Sequence, residues 1–364
     1  MKAAFFSSVF YLGPAPAGWP TPASRYTADA AKLSMRTALE QFRLADEVGF
    51  DWVTVAEHHF GPFGLTPNPM VFAGALTQVV RRAKIALLGP TLPILNPVRV
   101  AEEYAMLDTM TDGRVIAGLM RGTPNEYVTY NINPMESRGR FEEGLQLIRR
   151  AWTEKEPFGW EGEYFKYRSI AIWPRPVQQP HPPLYMSGSS RESAEFAARN
   201  RISLGLAVTT LPLAAKAAQH YRDEAQRTGW VPGADDLLFR VSFHVADSDD
   251  QALADYEESK RRPQRGSPVT ANPVIETAVA QLGYYGTDLH QRERVLEEHG
   301  LKDRIALGRI IIGSPDTVVA QIAAIARALR PGVLDAVSAF QLGERTDRSI
   351  ALFGEKVLPR IREL

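Results

Sequence analysis

Eight short runs of β-branched and apolar residues, most of them followed by a longer stretch with helical spacing, constrain this chain more than any other feature of its sequence. The runs are Lys2 to Val9, Asp51 to Ala56, Lys84 to Leu88, Arg114 to Leu119, Leu184 to Ser187, Ser203 to Ala207, Leu238 to Ala246 and Val333 to Phe340. Strands and helices alternating in this way build a parallel sheet covered by helices. The first helix is read over residues 28 to 48, where Ala31, Met35, Leu39 and Phe42 share a face and Gly49 stands at the C′ position. Asn68-Pro69, Asn96-Pro97 and Ser314-Pro315 each pair a capping side chain with proline at the first helical position. Ser137 to Thr153 and Pro212 to Arg227 supply further helices. Eight strand-helix units predict a closed barrel, and 364 residues fit such a barrel as one domain over 1–364.

Two stretches break the rhythm. Residues 155–183 are rich in aromatics and proline (Phe158, Trp160, Tyr164, Trp173) and read as an inserted hairpin or extended excursion after strand four. Residues 263–308, after strand seven, are longer than a structureless connection in a compact domain usually is, which marks them as a candidate mobile lid.

The amino terminus has two readings. Lys2, the apolar run to Leu12 and Ala15-Pro16-Ala17 imitate a short signal peptide. The same residues make a first barrel strand, which is preferred because a barrel lacking it would not close. No run reaches the roughly 18 to 20 apolar residues of a membrane span, so a soluble, cytoplasmic protein without a membrane partner is expected. The 42 basic and 42 acidic residues cancel, with no basic block for nucleic acid. There are no cysteines, which excludes disulfides, thiolate metal sites and a cysteine nucleophile.

In a barrel of this kind the chemistry sits on loops leaving the carboxyl ends of the strands. The second strand ends in Glu57-His58-His59-Phe60. A histidine there can serve as a base near neutral pH, or be a structural residue held by its neighbours. No metal is expected, since adjacent strand residues point to opposite faces and the spacing fits no zinc motif. Arg121 follows the apolar fourth strand and Arg138 opens the next helix. Either is an ordinary ion-pair residue or a fork for phosphate. The fifth strand runs into Ser187-Gly188-Ser189-Ser190-Arg191-Glu192-Ser193, where a helix starts. That pattern suits a phosphate cradle, and Ser189-x-x-Glu192 also fits a capping box. Leu88-Gly89-Pro90 ends strand three, as a strained bond beneath a flat ligand or a plain turn.

Taken in order and spacing, Glu57-His58-His59-Phe60, Gly64-Leu65, Asn68-Pro69, Asn96-Pro97-Val98-Arg99, Asp112-Gly113-Arg114 and Arg121-Gly122 resemble the bacterial luciferase-like, flavin-dependent monooxygenases. The resemblance runs from the first strand to about Ala198 and continues mainly as layout beyond it. It implies a (β/α)8 TIM barrel of the luciferase-like type, with insertions after strands 4 and 7. It implies a two-component enzyme that takes reduced FMN from a separate flavin reductase and oxidises a small organic substrate with O2 through a peroxyflavin, often as a homodimer through helices two and three. By matching position, His58 takes the place of the histidine proposed as catalytic base in luciferase. Arg121 and Arg138 take those of its phosphate-binding arginines, and Ser190 and Ser193 those of its phosphate-binding hydroxyls. Ser189 replaces a glutamate. Leu88-Gly89 falls on the family's non-prolyl cis peptide, with Pro90 making either neighbouring bond a candidate. Met120 replaces luciferase's reactive cysteine, which leaves flavin binding intact and light emission without its thiol. Tyr11, Trp19, Phe60 and Trp173 are expected to wall the substrate pocket. A deazaflavin-dependent hydride transfer without oxygen and a non-catalytic flavin-binding protein remain as alternatives.

Overall fold

The computed structural model describes residues 1–14, 18–261, 277, 278, 280, 281 and 300–364. Its strands are β1 (Lys2–Ser7), β2 (Trp52–Val55), β3 (Lys84–Leu87), β4 (Val115–Gly118), β5 (Phe158–Glu161), β6 (Lys166–Ile170), β7 (Leu184–Ser187), β8 (Ser203–Leu206), β9 (Leu237–Val245), β10 (Ile310–Gly313) and β11 (Val333–Ser338). Eight of them, β1-β2-β3-β4-β7-β8-β9-β11, follow one another in parallel, and β11 returns to β1 with Lys2 opposite Val333. The barrel is therefore closed, and β1 lies between β11 and β2 as the strand reading requires. The eight runs of the sequence are these eight strands.

Strand alternation sorts the core into two layers. Ala4, Trp52, Ala86, Ile116, Tyr185, Leu238 and Val333 pack together inside the barrel. Their neighbours Phe5, Val53, Ile85 and Val115 pack outward under the helices. The main helices are α1 (Ala28–Glu47), α2 (Pro69–Val79), α3 (Pro97–Thr111), α4 (Pro124–Thr129), α5 (Ser137–Thr153), α6 (Arg191–Arg199), α7 (Leu211–Arg227), α8 (Asp249–Lys260), α9 (Leu301–Ala306), α10 (Pro315–Leu329), α11 (Glu344–Leu352) and α12 (Leu358–Ile361). The Asn-Pro pairs cap as expected: Asn68 Oδ1 accepts from the N–H groups of Met70 and Val71 at 2.9 and 3.2 Å, and Asn96 Oδ1 from Val98 and Arg99 at 3.0 and 3.2 Å. No helix among the described residues is long and apolar enough to cross a membrane.

Two elements differ from the sequence expectation. Ile310–Gly313 is a ninth parallel strand, set beside the carboxyl half of β9 with Ile310 opposite Ser242. Four residues running straight into a Ser-Pro cap show too little alternation to be read as a strand. The insertion after β4 is indeed a hairpin, β5 antiparallel to β6, but it does not cover the barrel mouth. Glu143 on α5 accepts from Trp160 Nε1 at 3.0 Å and from the N–H groups of Tyr164 and Phe165 at 2.9 and 3.0 Å. Trp160 and Tyr164 are thus spent against α5, while Trp173 is exposed. Of the expected lid, residues 263–276, 279 and 282–299 lie outside the described residues, and its end forms α9.

Candidate active site

One cavity of about 790 Å³ opens where the strands end, a volume in the usual range for a small-molecule or cofactor site. Loops after β2, β3, β4 and β7 bring all eight expected site residues to it: His58, Leu88, Gly89, Arg121, Arg138, Ser189, Ser190 and Ser193. The aromatic wall is a different set from the expected one. Phe6, Phe10, Phe63, Phe141 and Phe196 border the cavity, whereas Tyr11, Trp19, Phe60 and Trp173 do not. Tyr11 turns its hydroxyl to Thr27, Trp19 donates to the His59 carbonyl at 2.8 Å, and Trp173 points into solvent. Loop position alone does not say which way a side chain faces.

The two adjacent histidines divide the two readings between them. His59 is buried and structural: its Nε2 meets Glu57 Oε1 at 3.1 Å and its Nδ1 meets Tyr130 Oη at 3.3 Å. Glu57 Oε2 also accepts from Thr91 N–H at 3.3 Å, so this group ties the loops after β2, β3 and β4 together. His58 packs its ring edge-on against Phe63 at 5.0 Å. Part of the residue faces the cavity, yet Nδ1 is shut off from solvent and has no hydrogen-bond partner among the described residues. Burial, then the Arg240 cation and then His59 pull its pKa down to about 3. His58 is therefore a neutral imidazole at pH 7, able to accept a proton but holding one weakly.

This shift has a consequence for stability. The unfolded chain binds a proton at His58 below its ordinary pKa, while the folded protein does not until about pH 3. Stability contributed by the neutral ring is complete above roughly pH 6.5 and declines as pH falls toward 3, at about 1.4 kcal/mol per pH unit within that window. A His58→Gln variant is expected to show a shallower loss of melting temperature between pH 6.5 and 4. Parallel curves for the two proteins would contradict this.

The phosphate-type cradle lies at β4 and β7. Ser190, not Ser189, is the N-cap of α6: its Oγ accepts from Ser193 N–H at 3.1 Å and lies 3.0 Å from Ser193 Oγ. Glu192, the other half of the expected capping box, instead pairs with Arg138 at 2.8 Å. Gly188 is required by close packing, since a Cβ there would sit 2.4 Å from Ser193 Cβ. The N–H groups opening α6, two serine hydroxyls and two guanidinium groups so border one concavity, which suits an anion.

Leu88–Gly89 and Gly89–Pro90 are both trans, which corrects the expectation of a cis bond here. The glycine is explained by close approach: a Cβ at 89 would lie 2.3 Å from the Glu57 backbone nitrogen. Backbone can thus come close to a ligand at this edge without an unusual peptide.

The floor was not foreseen. Arg240, on an inward position of β9, borders the cavity; its Nε is 2.6 Å from Asp335 Oδ2, and its guanidinium lies 3.5 Å from the centre of the Phe6 ring. Thr54 donates to Asp335 Oδ1 at 2.6 Å. The available signal was a cation at an inward-facing place in an otherwise apolar strand.

The model of the luciferase-like monooxygenases matches residues 16–330. The chain belongs to the luciferase-like monooxygenase family. The chain spans about half the length of the first curated relatives it matches. One is the alkanal monooxygenase alpha chain of Photorhabdus luminescens, 31% identical over 171 residues, 47% of each chain. The F420-dependent glucose-6-phosphate dehydrogenase of Amycolatopsis mediterranei is 26% identical over 361 residues, covering 93% of this chain and 98% of that one. Among solved structures, the oxygenating constituent of 3,6-diketocamphane monooxygenase from Pseudomonas putida, in complex with FMN, superposes with a TM-score of 0.76 at 19% identity, over 99% of this chain and 98% of that one. That likeness shows the fold: the luciferase-like barrel read from the motifs is the one observed.

Proposed function

We propose that this luciferase-like protein is the oxygenase component of a two-component monooxygenase, a cytoplasmic enzyme that receives reduced FMN from a separate reductase and oxidises a small organic substrate with O2. The observation that carries the reading is convergence. Arg121, Arg138, Ser190 and Ser193 border the same cavity as His58 and the close-packed Gly89 edge. The residues fit the cofactor: Arg121, Arg138 and the start of α6 would hold the phosphate, and Leu88 and Gly89 would flank the ring beside His58. Bound reduced FMN supplies the electrons and the oxygen chemistry. The chain binds the phosphate with its arginines, keeps water out with Phe6, Phe10 and Phe63, and takes up or gives a proton at His58.

A homodimer is part of the reading. Val71 on α2 and Met106 and Met110 on α3 are more than half exposed, an apolar face suited to a second copy.

A deazaflavin-dependent hydride transfer is the second reading, favoured by the match along nearly the whole chain to an F420-dependent dehydrogenase. Anaerobic titration with photoreduced FMN, followed by rapid mixing with O2, separates them. Saturable binding and reoxidation slower than that of free flavin are expected. No binding, or reoxidation at the free rate, would overturn the FMN reading and direct the same titration to reduced F420.

A further inference from the structure

The cavity floor presents a cation held from behind. Arg240 lies on an inward position of β9, and its Nε donates to Asp335 Oδ2 at 2.6 Å. Asp335 is fully buried and is itself fixed by Thr54, which donates to Oδ1 at 2.6 Å. The centre of the Phe6 ring is 3.5 Å from the guanidinium carbon. A planar group held at one edge by a carboxylate and across one face by a ring has little freedom to turn.

The other edge of the guanidinium has work to do. Nη1 and Nη2 have no hydrogen-bond partner among the described residues and are not closed off from solvent. Arg240 borders the cavity and keeps 17% of its side chain exposed, so these N–H groups open into it. Phe6, Leu238, Val337 and Ala207 border the same cavity, with Ser242 one inward step further along β9. A substrate that displaces water from such apolar surroundings must bring an acceptor of its own, because an enclosed N–H left unpaired is costly. Charge narrows the choice. The Asp335 carboxylate already balances the guanidinium. An incoming anion would set a second negative charge against a largely buried pair, whereas an uncharged oxygen completes the donors and adds no charge. After burial, Arg240 is the next cause of the lowered His58 pKa, so an oxygen bound here lies within electrostatic reach of that imidazole.

We propose that Arg240 is the specificity-determining residue of this cavity: its terminal N–H groups donate to an uncharged carbonyl oxygen of the substrate, and Asp335 sets both their direction and their preference for an acceptor without charge. The proposal rests on the reading of this cavity as the active site. It makes the substrate a carbonyl compound with an apolar skeleton, and it selects against the corresponding carboxylate. A site built to hydrogen-bond an oxygen discriminates strongly against the analogue that lacks it, since its own donors are then left unpaired.

The probes are acetophenone, its apolar near-isostere α-methylstyrene, in which CH2 replaces the oxygen, and benzoate. Each is titrated into the full chain in phosphate buffer, which occupies the cradle, and followed by ligand-observed NMR. Benzoate is expected to bind roughly tenfold more weakly than acetophenone, the difference of one unfavourable charge contact. Because α-methylstyrene leaves water more readily than the ketone, the decisive reading is the ratio of their two affinities in each protein. The double variant Arg240→Met with Asp335→Leu removes the donors without leaving Asp335 unpaired. It should shift that ratio roughly tenfold toward α-methylstyrene, the loss expected for one hydrogen bond to a charged group. Arg240→Lys keeps a charge opposite Asp335 but not the fork, and should lose part of the selectivity. Melting temperatures identify a variant that has not folded, and the other then carries the comparison. Tighter binding of benzoate, no binding of acetophenone, or a ratio unchanged in both variants would overturn the proposal. Reduced-FMN affinity of the same preparations reports the cofactor reading separately. Wild-type selectivity without reduced-FMN binding fails only that reading. A double variant that loses reduced FMN but keeps the ratio assigns the donors to the cofactor and overturns the proposal.

Discussion

Replacing Arg121 by alanine is expected to weaken binding of reduced FMN roughly 10- to 100-fold, with little change in melting temperature. Arg121 leaves the fully buried strand β4 directly into the cavity. A guanidinium there offers a planar fork to phosphate oxygens, and each charge-assisted hydrogen bond is worth about 1.5–3 kcal/mol, or one to two decades in Kd. Arg138 should matter less. It already has a carboxylate partner, Glu192, and is 38% exposed, so phosphate must displace a solvated ion pair worth about 1 kcal/mol or less in itself. Arg121→Lys should recover part of the loss by restoring charge without the fork. Anaerobic titration by flavin fluorescence measures all three. Equal, small losses for Arg121→Ala and Arg138→Ala would mean that the phosphate sits elsewhere.

The ease of reading this barrel from its sequence has a local cause. Asn68-Pro69 and Asn96-Pro97 specify helix starts through a side chain two or three residues from the groups it satisfies, so nothing distant is needed to interpret them. The strands are buried on both faces and therefore appear as short continuous apolar runs. Glu57-His58-His59 and Arg121-Gly122 were legible for a related reason: each ends such a run, where a barrel opens to its ligand.

What was hidden depends on contacts across the sequence. The division of labour between His58 and His59 is set by Tyr130 and Thr91, residues from two other loops. Ser190 rather than Ser189 caps α6, and Glu192 is drawn to Arg138, 54 positions away. Trp160 and Tyr164 carry no label saying that α5, and not the barrel mouth, is what they pack against. Gly89 shows that a residue can stand where a motif places it for a different reason from the one expected, here the nearness of the Glu57 backbone rather than a cis bond.

Asp335→Ala is expected to cost about 3 kcal/mol of stability, the largest effect of any single substitution on the cavity floor. Asp335 is fully buried and stands directly opposite Arg240 in the β11–β9 register. It holds Arg240 Nε at 2.6 Å and accepts from Thr54 on β2, so one carboxylate links three strands around the barrel. Removing a single partner from a buried pair leaves an uncompensated charge, which typically costs about 3–5 kcal/mol. The low end applies because Arg240 keeps 17% of its side chain exposed, at the cavity, where water can reach it. The Phe6 ring face against the guanidinium offsets little of the loss. Replacing both partners, as Arg240→Met with Asp335→Leu, should recover most of it, because an apolar pair of similar volume leaves no charge to desolvate. Urea unfolding of the two single variants and the double variant closes a cycle whose coupling term isolates the pair. A cost below about 1 kcal/mol for Asp335→Ala would show that Arg240 is held by cavity water and not by the ion pair.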